Sequence, residues 1–347
     1  DKALGNLKAQ LDKDSEKGKI TGEIKEKILN KIRTSTSIAE FKSCGLVIEA
    51  VVENISIKKD FFQQLENIIS PDAVIGTNTS SLSVTALSSA LRDPSRFLGI
   101  HFFNPAPLMP LVEIIPTLST TPSITESMEL LIRSWGKLTV RAKDTPGFIV
   151  NRVARPYYSE ALRIADEGIA DYATIDHAMK TLGGFKMGPF ELMDLIGHDV
   201  NYVVTETVWK EHYYDTRFTP SLTQKRLLEA GHLGRKSGKG FYDYSIPIPT
   251  PNGDPELLKK IYERILAMLI NMAADTLYMG IASRDDIDLA VTKGVNYPKG
   301  LLKWADEWGI HNVVEVLDNL YSLYQEERYR PHPLLKKLKA DNNLFYS

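Results

Sequence analysis

The sequence predicts an α/β doubly wound sheet, mostly parallel and incomplete at its N-terminal side, followed by two all-α helical repeats. Three observations carry this. Short apolar runs take turns with helical patterns between Leu46 and Arg141, as βαβ units require. After Asp144-Thr145-Pro146-Gly147, which is turn chemistry, the pattern becomes helical throughout. Beyond Ile246–Pro255, a stretch with four prolines, a glycine and little periodicity, the helical unit recurs.

The elements follow in order. Leu46 to Val52 is a β-branched run ended by Glu53-Asn54, and Ser56 to Ile69 places Phe61, Phe62, Leu65, Ile68 and Ile69 at helical spacing. Ala73 to Gly76 is a short strand leading to Asn78, and Ser83 to Leu91 is a short amphipathic helix. Phe97 to Phe103 and Leu111 to Ile115 are further strands, Ile124 to Trp135 is a helix, and Lys137 to Arg141 closes the series. The repeat is read from one ungapped shift. Gly168-Ile169-Ala170 matches Gly280-Ile281-Ala282, Ile175-Asp176 matches Ile287-Asp288, and Gly188, Asp194 and Gly197 match Gly300, Asp306 and Gly309. Asn151 falls on Glu263 in that register, so the second copy is read as scaffold. The expected units are 1–143, 144–245, a linker at 246–255, and a degenerate second helical copy at 256–347.

Composition narrows the function classes. A formal net charge of -2 gives no basic field for nucleic acid or an anionic membrane. Cys44 is the single cysteine, which rules out an internal disulfide and suits a reducing, cytoplasmic setting. No apolar stretch is long enough to span a bilayer, so no membrane role is expected. The seven histidines are scattered without zinc-like spacing, so no metal is expected.

Four polar residues stand out. Ser80 follows one strand, His101 lies near the end of the next, Glu113 interrupts Leu-Val-Glu-Ile-Ile, and Asn151 follows Pro-Gly at a helix start. Ligands of open α/β sheets bind beyond the carboxyl ends of the strands. Each residue also has a plain structural role: Ser80 and Asn151 as helix caps, His101 as a bonded core histidine, Glu113 in a structural ion pair. Together, an imidazole, a carboxylate, a hydroxyl and an amide are the parts of a proton-transfer site. Histidine suits the removal of a hydroxyl proton, and a carboxylate beside it fixes the tautomer.

Five segments at these residues resemble the L-3-hydroxyacyl-CoA dehydrogenase family, in order and at similar spacing: Asn-Thr-Ser-Ser-Leu, His-Phe-Phe-Asn-Pro, Leu-Val-Glu-Ile, Asp-Thr-Pro-Gly-Phe-Ile-Val-Asn-Arg and Gly-Arg-Lys-Ser-Gly-Lys-Gly-Phe-Tyr-Asp-Tyr. The resemblance implies a Rossmann-type NAD-binding domain and oxidation of an L-3-hydroxyacyl-CoA, as in fatty acid β-oxidation. It implies His101 as catalytic acid/base, Glu113 as its partner, and Ser80 and Asn151 as the groups that hold the reacting oxygen and position the substrate. Glu53, Lys58, Asn78 and Asn104 match positions at the nicotinamide end of NAD or the site floor. The family's helical domain forms a homodimer, so this chain is expected either to dimerise or to meet that need with its own second copy.

One departure is that the Gly-x-Gly-x-x-Gly turn opening such a domain is not in the sequence. The chain is read as starting at the helix after the second strand, its first few dozen residues lacking. Lys13, Lys17, Lys19, Lys25 and Lys27 form a basic stretch that suits either CoA phosphates or a solvated face. Two other readings stay open on the residues: a non-catalytic acyl-CoA-binding or crystallin-like relative, and a sugar-acid dehydrogenase of the same fold.

Overall fold

Five short runs rich in Val, Ile, Leu and Phe pair into one sheet in the order β1 (Leu46–Glu49), β2 (Val74–Thr77), β3 (Phe97–Phe102), β4 (Leu111–Pro116) and β5 (Leu138–Arg141). The computed structural model describes residues 2–346. Asp1 and Ser347, the outer limits of the expected first and last units, lie outside the described residues. Neighbouring strands are parallel except β3 and β4, which run antiparallel. The link between those two is too short for a parallel crossover, which needs a dozen residues or more. The exception sets the site, because it pairs His101 directly with Glu113.

Strand alternation sorts the side chains to two faces. Leu98, Ile100, Val112 and Ile114 pack with Met128 and Ile132 of the helix Pro122–Ser134. Phe97, Leu111 and Ile115 face the other way, into a core shared with Phe62, Leu65 and the helical half of the chain. His101 and Glu113 have the parity of this second set. Period two therefore aims both toward the helical half.

The helical half repeats down to its hydrogen bonds. The Asp176 carboxylate accepts from the amides of Phe190 and Glu191 and from the Tyr242 hydroxyl. In the second copy Asp288 accepts from the amides of Leu302 and Lys303 and from the Tyr346 hydroxyl. Asp194 binds the amides of Phe241 and Tyr242, and Asp306 those of Phe345 and Tyr346. Gly188 and Gly300 are glycine for one reason: a Cβ on either would lie within 2.3 Å of the matching aspartate.

The copies pack through the helices Arg155–Asp166 and Pro255–Tyr278. Phe185 and Tyr297, equivalent positions in the sequence register, meet at a ring separation of 5.0 Å. Like residues touch in this way across an isologous, two-fold contact. Ion pairs cross in both directions. Arg152 of the first copy binds Asp275 of the second at 2.6 Å, and Arg264 of the second binds Glu160 of the first at 2.5 Å. Leu162, Ile164, Leu266 and Trp304 share one buried cluster, with Leu192 and Leu277 packed against it.

Deleting everything after Ser245 should therefore uncover an apolar face and strip Arg152 and Glu160 of their counter-charges. Breaking a buried pair from one side costs about 3–5 kcal/mol. Aggregation or a new dimer is expected by size-exclusion chromatography with light scattering. A truncated protein that stays monomeric and equally stable would contradict this packing.

The second copy also reaches the sheet. Its helix Arg284–Gly294 packs on β4, β5 and the short helix Val150–Val153, with Gly294 closing on Leu111 and Val150. At the other end of the chain, helices Lys2–Glu16 and Gly22–Leu29 carry the basic stretch. There Lys19 pairs with Asp14 at 3.3 Å and Lys25 with Asp12. No helix among the described residues is long and apolar enough to cross a membrane.

Candidate active site

Glu113 is fully buried, and three N–H donors converge on it. Its Oε2 lies 2.7 Å from His101 Nδ1. Its Oε1 accepts from the amides of Ile149 at 3.1 Å and Val150 at 3.0 Å. Those amides are presented by a turn in which Gly147 (φ 80) and Phe148 (φ 47) are both left-handed. The left-handed region is unfavourable for a bulky aromatic, and such strain persists where the surroundings impose it. Here the turn aims two successive amides at one carboxylate. The helix that follows has Ile149 at its N-cap with no side-chain cap, so Asn151 is not a capping residue.

His101 is only 5% exposed, with its ring between Phe103 and Phe148 at 4.7 and 5.7 Å. A carboxylate can only accept, so Nδ1 carries the proton in the His101–Glu113 bond. Nε2 then keeps its lone pair and has no partner among the described residues.

A second network builds the loop after β2. Lys58 is 1% exposed, and its ammonium binds Glu49 at 2.7 Å, Glu53 at 3.3 Å and the Val51 carbonyl at 3.3 Å. Three contacts fill its three donors, so Lys58 braces this region from beneath. Glu53 Oε1 accepts from the Thr79 hydroxyl, the Ser80 and Ser81 amides and the Ser81 hydroxyl at 2.6–3.2 Å. Burial pushes the Glu53 carboxyl up, but the Thr79 bond, the Lys58 charge and the Ser80 and Ser81 bonds outweigh it and hold it below the usual carboxylate range. Glu53 thus holds the loop that carries Ser80.

The Ser80 hydroxyl has no partner among the described residues, and Ser83, not Ser80, caps the next helix. Asp144 anchors that helix start from the domain junction through the Ser83 hydroxyl and the Val84 and Thr85 amides. Asn78 ties β2 to β3 by accepting from the Phe102 amide at 2.8 Å. Asn104 lies exposed in the loop after β3. Val51 and Val52 leave an apolar ledge, Val52 being 63% exposed, above the buried Lys58. An exposed apolar ledge of this kind suits contact with a flat ring such as a nicotinamide. A crevice of about 190 Å³ lies between Ser81–Ser83, Asp144–Pro146 and Glu211.

The structure thus joins His101 to Glu113, sets Ser80 on a loop next to β3, and puts Asn151 one residue beyond an amide that holds Glu113. Sequence reasoning missed Glu49, Thr79, the Ile149 and Val150 amides, and Arg155, which lies beside Asn151 at 3.4 Å. Among the described residues no group of three or more His, Cys, Asp or Glu side chains is arranged to hold a metal.

The family described as 3-hydroxyacyl-CoA dehydrogenase, NAD binding domain, matches residues 1–145. The description 3-hydroxyacyl-CoA dehydrogenase, C-terminal domain, matches twice, at 147–244 and 261–345. The 3-hydroxyadipyl-CoA dehydrogenase of Escherichia coli K12 is 36% identical over 97% of this chain and 89% of its own. The 3-hydroxybutyryl-CoA dehydrogenase of Clostridioides difficile is 39% identical over 71% of this chain and 87% of its own. The crystal structure of an Escherichia coli 3-hydroxybutyryl-CoA dehydrogenase superposes with a TM-score of 0.92 at 35% identity, over 99% of this chain and 92% of that one. With two family domains in order and relatives along nearly its whole length, the chain belongs to the 3-hydroxyacyl-CoA dehydrogenase family.

Proposed function

We propose that this NAD-dependent 3-hydroxyacyl-CoA dehydrogenase uses His101 as its general acid/base, Glu113 as the group that orients it, and Ser80 and Asn151 as donors to the reacting oxygen. The observation that carries the reading is the 2.7 Å bond from His101 Nδ1 to a buried carboxylate, which leaves Nε2 as the proton acceptor. Oxidation of a secondary alcohol removes a hydride from carbon and a proton from oxygen. Bound NAD supplies the hydride acceptor. The hydroxyl proton of the L-3-hydroxyacyl-CoA passes to His101 Nε2, and Glu113 stabilises the imidazolium so formed. The Ser80 hydroxyl and the Asn151 amide donate to the oxygen as it gains alkoxide character. Lys58 and Glu53 act through the loop they hold, while Asn78 and Asn104 are assigned to the cofactor side of the site.

We also infer that the division runs 1–143, 144–245 and 256–347 about a linker at 246–255, and that the second helical copy replaces the partner of a dimer. The Phe185–Tyr297 contact and the crossed ion pairs support a monomer whose two copies meet as two subunits would.

Asn151→Ala tests the oxygen-binding assignment. Loss of one donor to a developing oxyanion costs roughly 10²–10³ in kcat. A fall of about 10²-fold in NADH formation from an L-3-hydroxyacyl-CoA, with unchanged melting, is expected. Near-normal turnover would remove Asn151 from the site.

A further inference from the structure

Five arginines are buried in this chain: Arg96, Arg152, Arg155, Arg264 and Arg328. Four have a carboxylate within ion-pair distance, namely Glu66, Asp275, Glu160 and Glu326 respectively. Arg155 has none among the described residues, although it is only 5% exposed. Its guanidinium donates to the Thr205 hydroxyl at 2.9 Å and to Asn151 Oδ1 at 3.4 Å, and it stacks on the Tyr158 ring at 4.9 Å. Its Nε is buried without a partner. Tyr297, contributed by the second helical copy, has a buried hydroxyl that also lacks a partner. Burial pushes the Arg155 guanidinium down, and the groups that bear on its charge are the phenols of Tyr158 and Tyr297, not an acid.

A buried cation is costly unless an anion is paired with it. Asn151 lies in the short helix Val150–Val153 and Arg155 opens the next helix, yet the Arg155 guanidinium reaches back to Asn151 Oδ1. The part of an acyl-CoA that passes beyond the reacting carbon is the distal end of its acyl chain. In a six-carbon dicarboxylic acyl group, three carbon–carbon bonds of about 1.5 Å join the carbinol carbon to the terminal carboxylate. That span matches a cation adjoining the residue that holds the carbinol oxygen.

We propose that Arg155 is a specificity residue that receives the terminal carboxylate of a dicarboxylic 3-hydroxyacyl-CoA, with the unpartnered Tyr297 hydroxyl of the second helical copy as a further donor. The inference rests on the placement of Asn151 at the reacting oxygen. It gives the second copy a part in substrate choice as well as in packing. Asn151 keeps its Oδ1 on Arg155, so its NH2 is the end offered to the substrate.

The test compares kcat/KM for two six-carbon L-3-hydroxyacyl-CoA substrates, one ending in a carboxylate and one in a methyl group. The wild-type enzyme is expected to favour the carboxylate by at least ~10²-fold, since a site built around polar groups rejects an analogue lacking the partner. Arg155→Met should lower that ratio by about 10²-fold, and Arg155→Lys should keep part of it. Calorimetric Kd values for the two saturated thioesters, adipyl-CoA and hexanoyl-CoA, should show the same order in the wild-type protein. This measurement stands even if Arg155→Met fails to fold. Indifference of the wild-type enzyme to the terminal group overturns the proposal. So does an equal loss for both substrates in Arg155→Met, which would mean that Arg155 serves the reacting oxygen through Asn151. Oxidation of neither substrate, with adipyl-CoA still bound preferentially, would instead count against the assignment of the catalytic residues.

Discussion

Replacing Glu113 by Gln should lower kcat by at least ~10²-fold while leaving the fold intact. The expected size comes from the tautomer, not from the charge alone. In the native site Oε1 accepts from two backbone amides, and Oε2 accepts the hydrogen bond donated by His101 Nδ1–H. The glutamine side chain of Glu113→Gln would keep its oxygen on the two backbone amides, because they can only donate. Its NH2 would then face His101 and turn Nδ1 into an acceptor. The ring proton would move to Nε2, and the atom that should take the substrate proton would already carry one. An equivalent carboxylate-to-amide change in the Ser-His-Asp triad costs about 10⁴ for the same reason. Steady-state NADH formation checks the rate, and thermal melting checks the fold. A variant with near-native kcat would mean that Glu113 is a structural partner only.

His101→Gln should cost at least ~10²-fold in kcat as well, in the range of a lost general base. A glutamine at this place can still donate to Glu113 and fill the space between Phe103 and Phe148, so the melting temperature should change little. Michaelis constants for the acyl-CoA should move much less than kcat, because the imidazole acts on the proton and not on the CoA moiety. A variant that unfolds, or one that turns over normally, would return His101 to the role of a bonded core histidine.

The strands and the mostly parallel sheet were legible because short β-branched runs alternate with helical periodicity. Glu113 was conspicuous for a physical reason: a carboxylate among apolar neighbours needs partners. Its backbone partners were not legible, since nothing in Pro146-Gly147-Phe148 announces that Phe148 will adopt φ 47 and turn two amides onto it. Lys58 was expected at the nicotinamide end or the site floor from the resemblance alone, and only the fold shows its ammonium enclosed by Glu49, Glu53 and the Val51 carbonyl. The antiparallel turn at β4 could have been read from the short link after β3. The match of Phe345-Tyr346 to Phe241-Tyr242 lay outside an ungapped register, because the loop before it is shorter in the second copy. Arg155 escaped notice because a sequence shows an arginine but not the absence of its counter-charge.

The central claim is that Glu113 keeps the proton of the neutral His101 ring on Nδ1, so that Nε2 is free to accept one from the substrate. Nitrogen-15 NMR of the labelled full chain reads this directly, with His101 assigned by comparison with His101→Gln. In the wild-type protein a protonated Nδ1 and an unprotonated Nε2 are expected for the neutral ring, with the pattern reversed in Glu113→Gln. A neutral His101 protonated at Nε2 in the wild-type protein, or a pattern unmoved by Glu113→Gln, would contradict it.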